Sequence, residues 1–420
     1  MGKIKFIINR LREKLWVKPL VVCVFSVAAV FAAKATNYNS LFDKVPFIQQ
    51  DSLEALLSIL SASMLVTATF AVSSMVSAYA SAGSTATPRT FSLIIADDRS
   101  QNALSVFIGA FIYSIIALIA VKNEYYSDAG IFILFVLTLF AFAVIIVTFV
   151  RWVDSIARLG RLGNIIDKVE KATADSLKQR ISSPTLLGIP LREEFNNPQK
   201  VVSNKIGYIQ RIDVSKLQKI AEKYKLHIQV RALPGKFAVP DFPIAFYTRE
   251  DDDGTNNIGE IIEKAFLIGE DRKFDDDPRF GLVVLGEIAG RALSPAVNDP
   301  GTAIDIIGTL VRLFSLWSEK PVHSSGAEVC DRIEVPELKV SDLMDDAFGA
   351  IERDGAGTLE VVIRLQKGFL TLSTLKDMNM KEAAKMHSLK SYEKTKRKNL
   401  LQEEIELISH LVTRVQNEVY

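Results

Sequence analysis

The stretch Asp276–Leu310 reads DDPRFGLVVLGEIAGRALSPAVNDPGTAIDIIGTL, and it decides the fold of the second half of the chain. Apolar residues recur at helical spacing on both sides of a short polar break. Asp299 precedes a proline, which disfavours helical backbone at Asp299, whereas Pro300 suits the first position of a helix, where no amide is needed. The stretch therefore predicts a helix, a break, and a second helix that Asn298 or Asp299 caps.

The composition excludes several classes of function. The 420 residues include 50 basic and 49 acidic side chains, a net charge of +1, so bulk charge gives no argument for a nucleic-acid partner. Two cysteines, Cys23 and Cys330, lie far apart, and the four histidines are scattered without ligand spacing. The sequence predicts neither a metal site nor a cofactor.

Four long apolar segments occupy the first third of the chain, and about 20 apolar residues are enough to span a bilayer. They run over Trp16–Ala33, Ala55–Ala80, Ala103–Val121 and Ala129–Val150. The first follows a basic region and ends in small residues at Ala33-Lys34-Ala35, so a cleaved signal peptide is an alternative to a first membrane helix. The sequence predicts a multi-pass membrane protein whose non-protein partner is the lipid bilayer.

The distribution of lysine and arginine predicts the orientation of these helices. Basic residues concentrate before the first segment and after the fourth, whereas the loop at 37–51 carries Lys44 alone. Positive charge favours the cytoplasmic side of a membrane. We therefore expect both termini, and everything after Val150, in the cytoplasm, with the protein in the inner membrane of a bacterial cell.

The second apolar segment carries an unusual number of hydroxyl groups near one helical face. These residues are Ser63, Thr67, Ser74, Ser77 and Ser81. Small and hydroxyl residues let membrane helices pack closely, which is one interpretation. A hydroxyl-lined pathway for ions or a small solute is the other, and the absence of a charged residue inside the segment argues against a proton relay.

After the membrane-spanning region, residues 1–150, the sequence predicts three further parts. Residues 151–205 form a membrane-proximal helix over 152–180 and a loop-like linker over 181–200. Residues 206–250 alternate as a small β-rich subdomain with a turn at Leu233-Pro234-Gly235. Residues 251–420 are mainly helical, and Lys381–Val419 in particular is expected to be mostly helix. The predicted fold class is an α-helical membrane protein with four transmembrane helices and a mixed α+β cytoplasmic domain.

The predicted break holds the densest group of polar side chains between apolar helices. The group consists of Arg291, Ser294, Asn298, Asp299 and Thr302. One interpretation is architectural, with Asp299 or Asn298 as a helix cap and Arg291 in an ion pair. A second is a ligand or subunit contact, because amides at a helix N-terminus favour an anion. Catalysis is disfavoured because no histidine is close in sequence, and no residue is nominated as catalytic.

Two acidic turns have a simpler interpretation. Glu250–Gly254 and Asp275–Pro278 lack the ligand spacing of a calcium loop and are expected to be solvated turns. Asp277 is also well placed to cap a helix that begins at Pro278.

The chain resembles the bacterial DUF2254 family of predicted membrane proteins in two places. One is the loop into the third apolar segment, with Thr87-Pro88-Arg89, Asp97–Gln101 and Phe107-Ile108-Gly109. The other is the opening stretch, with Phe280-Gly281-Leu282, Arg291–Pro295 and Asn298-Asp299-Pro300. The resemblance implies four spans and a cytoplasmic domain, and it supplies no chemistry.

Three function classes follow, and the hydroxyl-rich second segment favours the first. That class is an oligomeric channel or conduit, built from several copies of the chain and gated by the cytoplasmic domain. A membrane-anchored sensor or scaffold, with an unidentified protein partner, is the alternative. A membrane-bound enzyme comes last, since no catalytic group is recognisable.

Overall fold

Four long apolar helices form the first part of the structure, a computed structural model that describes residues 14, 16–35, 46–95, 98–158, 160–192, 195–249, 257–319 and 330–419. The described chain divides into two compact units, residues 1–165 and 166–420. Two sequence predictions fall outside the described residues, namely those on the basic tail up to residue 13 and on the acidic turn at 250–254.

The four apolar helices of the first unit match the four predicted segments, so that prediction is confirmed. By length and composition each can cross a membrane. The second is the longest, and its 36 residues extend over about 54 Å at the usual helical rise. The helices of this unit are α1 (Val17–Ala35), α2 (Gln50–Thr85), the short α3 (Phe91–Ile95), α4 (Asp98–Lys122) and α5 (Asp128–Arg158).

Close contacts hold these helices together. A side chain at Gly109 would come within 2.5 Å of Val22, so glycine lets α4 approach α1. The Tyr126 hydroxyl donates to the Val30 carbonyl at 2.7 Å. Trp152, fully buried, packs its ring against aromatic side chains from three helices, Phe70, Phe107 and Phe149.

The prediction of one uninterrupted helix over 152–180 was wrong. The fourth apolar helix continues to Arg158, and Gly160 then adopts φ +87°, a left-handed conformation that ends it. A new helix, α6 (Leu162–Ser182), begins two residues later. Its C-terminal part lies in the second unit, where Arg312 donates to the Glu170 carboxylate at 2.7 and 2.8 Å.

Short strands form two small sheets in the second unit. The five-stranded sheet has the order β1-β8-β4-β6-β2, and β8 pairs in parallel with both β1 and β4. The three-stranded sheet has the order β5-β3-β7. The strands are β1 (Gly188–Pro190), β2 (Gln199–Val202), β3 (Gly207–Ile212), β4 (Leu226–Val230), β5 (Phe237–Ala238), β6 (Pro243–Arg249), β7 (Phe266–Gly269) and β8 (Cys330–Val335), with helices α7 (Val214–Lys223) and α8 (Ile258–Glu263) between them.

The sheets extend beyond residues 206–250, where the sequence predicted the β structure. Strands β1 and β2 lie in the segment 181–200 and its border, which was expected to be a loop, and that expectation was wrong. Both are too short, at three and four residues, to show an alternating pattern. They are held by their partners, since Val201 is fully buried beside Ala245 of β6.

Six helices complete the second unit and bury a second apolar core. In this core Phe314 stacks on Phe348 with ring centroids 5.6 Å apart, and Phe369 meets Phe348 edge-to-face at 5.0 Å. The prediction that Lys381–Val419 is mostly helix is confirmed, and the stretch consists of two helices that pack against each other. The helices are α9 (Pro278–Ala292), α10 (Pro300–Trp317), α11 (Val340–Asp354), α12 (Leu359–Ser373), α13 (Met378–Thr395) and α14 (Gln402–Asn417).

Candidate functional site

The break between α9 and α10 is a capped turn. Asp299 is the N-cap of α10, and its side chain accepts from the Thr302 amide at 3.1 Å and from the Thr302 hydroxyl at 2.5 Å. The Asp299 amide donates to the Ala292 carbonyl at 2.8 Å, which closes the turn. The prediction that Asp299 caps this helix is confirmed.

The other predicted residues of this group do not converge on one point with Asp299. The Ser294 hydroxyl donates to the Arg291 carbonyl at 2.7 Å, within the last turn of α9. Asn298 adopts φ +49°, a left-handed conformation that asparagine tolerates, and its side chain is exposed. The side-chain hydrogen bond from Thr302 to Asp299 holds the pKa of Asp299 below its usual value. These hydrogen bonds stabilise the turn between α9 and α10.

The predicted hydroxyl face of α2 lies beside the face that packs on the neighbouring helices, and most of it is exposed. The buried face of α2 includes Leu57, Ala71 and Met75, whereas Ser63 and Ser77 are exposed. At 100° per residue the hydroxyl stripe is centred about 100° around the helix from the buried one. Thr67, Ser74 and Ser81 share the stripe, the first two half-buried and the last exposed. The face is therefore an outer surface of the first unit.

Hydroxyl groups on the exterior of α2 donate to their own helix. The Thr67 hydroxyl donates to the Ser63 carbonyl at 2.9 Å, and Ser63 donates to Ile59. Thr69 and Ser73 bond in the same way to carbonyls four residues earlier, at 2.9 and 3.0 Å. Each donor is thus satisfied without water, while oxygen lone pairs remain on the surface.

Asp277 takes part in a hydrogen-bond network of which the sequence predicted only the helix cap. It caps α9 as predicted, accepting from the Phe280 amide at 3.3 Å, and it also accepts from Arg272 Nε at 2.8 Å. Its side chain is 2% exposed, and a Cβ on Gly235 would come within 2.2 Å of its Oδ2. Burial raises the pKa of Asp277 above its usual value. The acidic turn at 275–278 is therefore not merely solvated.

A buried His–Glu pair is a second feature that the sequence missed. His387 Nδ1 lies 2.5 Å from Glu352 Oε1, both side chains are almost fully buried, and Lys394 donates to Glu352 Oε2 at 2.7 Å. His387 recurs at helical spacing with Met380 and Ala384 on the inner face of α13, a pattern that could have indicated its burial. The pair links α11 to α13. Within the described ranges, no group of three histidine, cysteine or acidic side chains could hold a metal ion.

Comparisons with known proteins agree with the predicted resemblance. The family model described as "Predicted membrane protein (DUF2254)" matches residues 12–371. Uncharacterized proteins of Mycobacterium bovis and Mycobacterium tuberculosis are 25% identical over 345 residues, which covers 76% of this chain and 63% of each relative. The chain thus spans less than two thirds of the length of these curated relatives. No solved structure matches the chain.

Proposed function

We propose that this chain, which belongs to the DUF2254 family of predicted membrane proteins, forms a homo-oligomeric channel or conduit. Its hydroxyl face on α2 would line a path between copies. The observation that carries the proposal is that Ser63, Ser77 and Ser81 lie on the outer surface of the first unit. In an isolated chain this surface would face lipid tails, whereas in a ring of copies it would face a shared axis.

The chemistry of the face suggests what could pass. No charged residue lies within Ala55–Ala80, so the path would offer hydroxyl oxygens and no fixed charge. Hydroxyl oxygens can replace part of the hydration shell of an ion or bind a small polar solute. Since the hydroxyl protons of Ser63 and Thr67 are donated to backbone carbonyls, the free lone pairs favour a cation or a hydrogen-bond donor.

The proposed orientation of the chain in the membrane rests on the uneven distribution of lysine and arginine in the sequence. The end of α5 and the start of α6 carry Arg151, Arg158 and Arg161, and the connection between α1 and α2 carries one basic residue. This favours the cytoplasmic side of a bacterial inner membrane for both termini and for residues 166–420. The second unit would then be the part that receives a cytoplasmic signal and gates the path.

The second candidate is a membrane-anchored sensor or scaffold. The observation that favours it is that Ser63, Thr67, Thr69 and Ser73 satisfy their donors within α2, so this surface also tolerates lipid or tight helix packing. In that case α2 only anchors the chain in the membrane or packs against other helices, and the second unit carries the activity.

Oligomer mass and flux distinguish the two candidates. We expect light scattering of the detergent-purified protein, with detergent subtracted, to give three copies or more, and we expect liposomes to show solute flux. Ser77→Leu should lower flux at least tenfold with unchanged mass, because it fills and dries the path. Val76→Leu is the matched control, since Val76 is 59% exposed but lies about 100° around the same helix. A folded monomer, or an oligomer without flux, would move the assignment to the sensor or scaffold.

A further inference from the structure

The second unit contains a cavity of about 290 Å³ between the turn at 233–236 and the first turns of α9 and α11. We propose that this cavity binds the phosphate group of a small phosphorylated molecule. The inference concerns residues 166–420 alone, so it stands whether or not the apolar helices conduct.

The basic side chains around the cavity exceed the acidic ones. Five basic residues line it, namely Arg231, Lys236, Arg272, Arg279 and Lys339, against three acidic residues, Glu337, Asp342 and Asp346. Arg279 is already committed, because its Nε and Nη2 donate to Asp346 at 2.6 and 3.1 Å and its Nη1 lies 3.5 Å from Asp342. Five basic against three acidic side chains leave the lining with a net charge of +2, and one of these cations, Arg272, also pairs with the buried Asp277.

Arg272 is held in position with its outer nitrogens available. Its Nε donates to the buried Asp277, and its guanidinium lies 5.1 Å from the centre of the Phe280 ring. Nη1 and Nη2 make no hydrogen bond to any described residue. The bond from Nε to Asp277 and the contact with the Phe280 ring hold the guanidinium in place. Its two outer nitrogens then present parallel donors, a geometry that suits two oxygens of a phosphate.

Unlike Arg272 and Arg279, the other three basic residues of the lining have no carboxylate partner among the described residues. Arg231 stacks on Phe246 at 5.5 Å, while Lys236 and Lys339 are exposed. None of Arg231, Lys236 and Lys339 forms an ion pair within the described part of the chain. Their charges are therefore free to neutralise a dianion, which would be bound at least partly out of water.

The N-terminus of α11 adds a further attraction for an anion. This 15-residue helix begins at Val340, and its N-cap residue, Lys339, provides no side-chain acceptor for the first amides. Residues 336–339 and Asp342 line the cavity, so the uncapped end lies at its wall. Helix N-termini carry partial positive charge and bind phosphate through their amides.

Size and apolar lining limit the rest of the ligand. About 290 Å³ lies at the lower end of small-molecule sites, which suits one or two phosphates with a small organic group. Leu233, Pro234, Pro336 and Leu338 provide apolar wall for that group. A soluble phosphate ester and the headgroup of phosphatidic acid share this chemistry.

Calorimetric titration of the detergent-purified full chain with inorganic pyrophosphate, at constant ionic strength, tests the proposal. We expect one site per chain and at least a tenfold loss of affinity in the Lys236→Gln/Lys339→Gln variant. The matched control is Lys219→Gln/Lys376→Gln, which removes two exposed lysines outside the cavity lining and should stay within twofold of the unmodified protein. Circular dichroism of both variants verifies their fold.

The Arg231→Gln variant tests a third basic residue of the cavity. It should weaken pyrophosphate binding by about the same factor as Lys236→Gln or Lys339→Gln alone. Short-chain phosphatidic acid, added to the same micelles, then separates the two sources of phosphate. If it displaces pyrophosphate and binds more tightly, the natural ligand is a lipid headgroup, and if it does not compete, the ligand is soluble. Pyrophosphate that binds no better than chloride, or equally well to the double lysine variant, overturns the proposal.

Discussion

Two helices of the second unit begin with the same dipeptide, and a comparison of their first turns separates local from tertiary effects. Asp277-Pro278 opens α9 and Asp299-Pro300 opens α10. The two aspartates have similar backbone angles, φ −122° and ψ 85° against φ −114° and ψ 81°. Each accepts from the amide three residues later, at 3.3 and 3.1 Å. The sequence alone predicts this shared geometry.

Their surroundings differ in every other respect. Asp277 is buried between Arg272 and Gly235, and burial raises its pKa. Asp299 is only half-buried and bonds within its own turn to Thr302, which lowers its pKa. A capping pattern thus identifies a helix start, while the contacts that other segments bring decide how much stability depends on it.

We expect Asp277→Ala to cause the largest loss of stability. It removes the cap of α9 and leaves Arg272 without its carboxylate, so we expect α9 to lose about 3 kcal/mol of stability. Asp299→Ala removes a cap alone and should cost about 1 kcal/mol. Hydrogen exchange of amides in α9 and α10, measured on the full chain in detergent, reports both losses. Equal losses in the two variants would mean that the burial of Asp277 has no energetic consequence.

The next effect is that of Gly235→Ala, which tests the contact that only Asp277 has. Gly235 has φ +91°, and its new Cβ would lie 2.2 Å from Asp277 Oδ2. We expect a loss of about 2 kcal/mol from left-handed strain and displacement of the carboxylate. Gly349→Ala in α11 is the control, because a Cβ there meets nothing within 4 Å, and it should stabilise the helix by roughly 0.5–1 kcal/mol.

A double variant sharpens that test. In Gly235→Ala/Asp277→Ala the carboxylate that would meet the new methyl group is gone. The loss of stability in the double variant should therefore be smaller than the sum of the losses in the two single variants. Full additivity, measured by the same exchange experiment, would show that the strain at Gly235 is local to its backbone.

The sequence predicted the parts of the fold that depend on local pattern. The four apolar helices, both aspartate caps and the order of helix, break and helix over Asp276–Leu310 follow from apolar length, Asp-Pro order and helical spacing. The hydroxyl face of α2 could also be found from spacing, but its direction could not, because that depends on which face the neighbouring helices cover.

The rest depends on pairing between distant segments. Strand β8 joins β1 and β4 in parallel although about 100 residues or more separate them, and such long-range register leaves no local signal. Gly235 lies in the turn at 233–236, whereas Arg272 and Asp277 lie in the connection between β7 and α9, and each segment alone has the pattern of an ordinary turn. The cavity that Gly235 and Arg272 line therefore could not be predicted from sequence motifs.

The smallest expected effect is a difference in pH dependence between the two caps. Because the folded pKa of Asp299 is lowered, its contribution is fully present above the ordinary aspartate pKa of about 3.9 and is lost as the pH falls. The folded pKa of Asp277 is raised, so its protonation-linked contribution is present below about pH 3.9 and is lost as the pH rises through the folded value. The two linkages therefore have opposite signs.

Asparagine variants isolate these contributions, because asparagine still caps a helix but does not titrate. Relative to Asp299→Asn, the unmodified protein should gain stability in α10 as the pH rises from about 3 to 5, by less than about 1 kcal/mol. Relative to Asp277→Asn, it should lose stability in α9 as the pH rises above about 4. Hydrogen exchange of the unmodified protein and both variants at each pH, corrected for the intrinsic exchange rate, measures both trends. If both contributions rise with pH, the pairing with Arg272 outweighs desolvation at Asp277, and the two caps differ only in the size of their stabilisation.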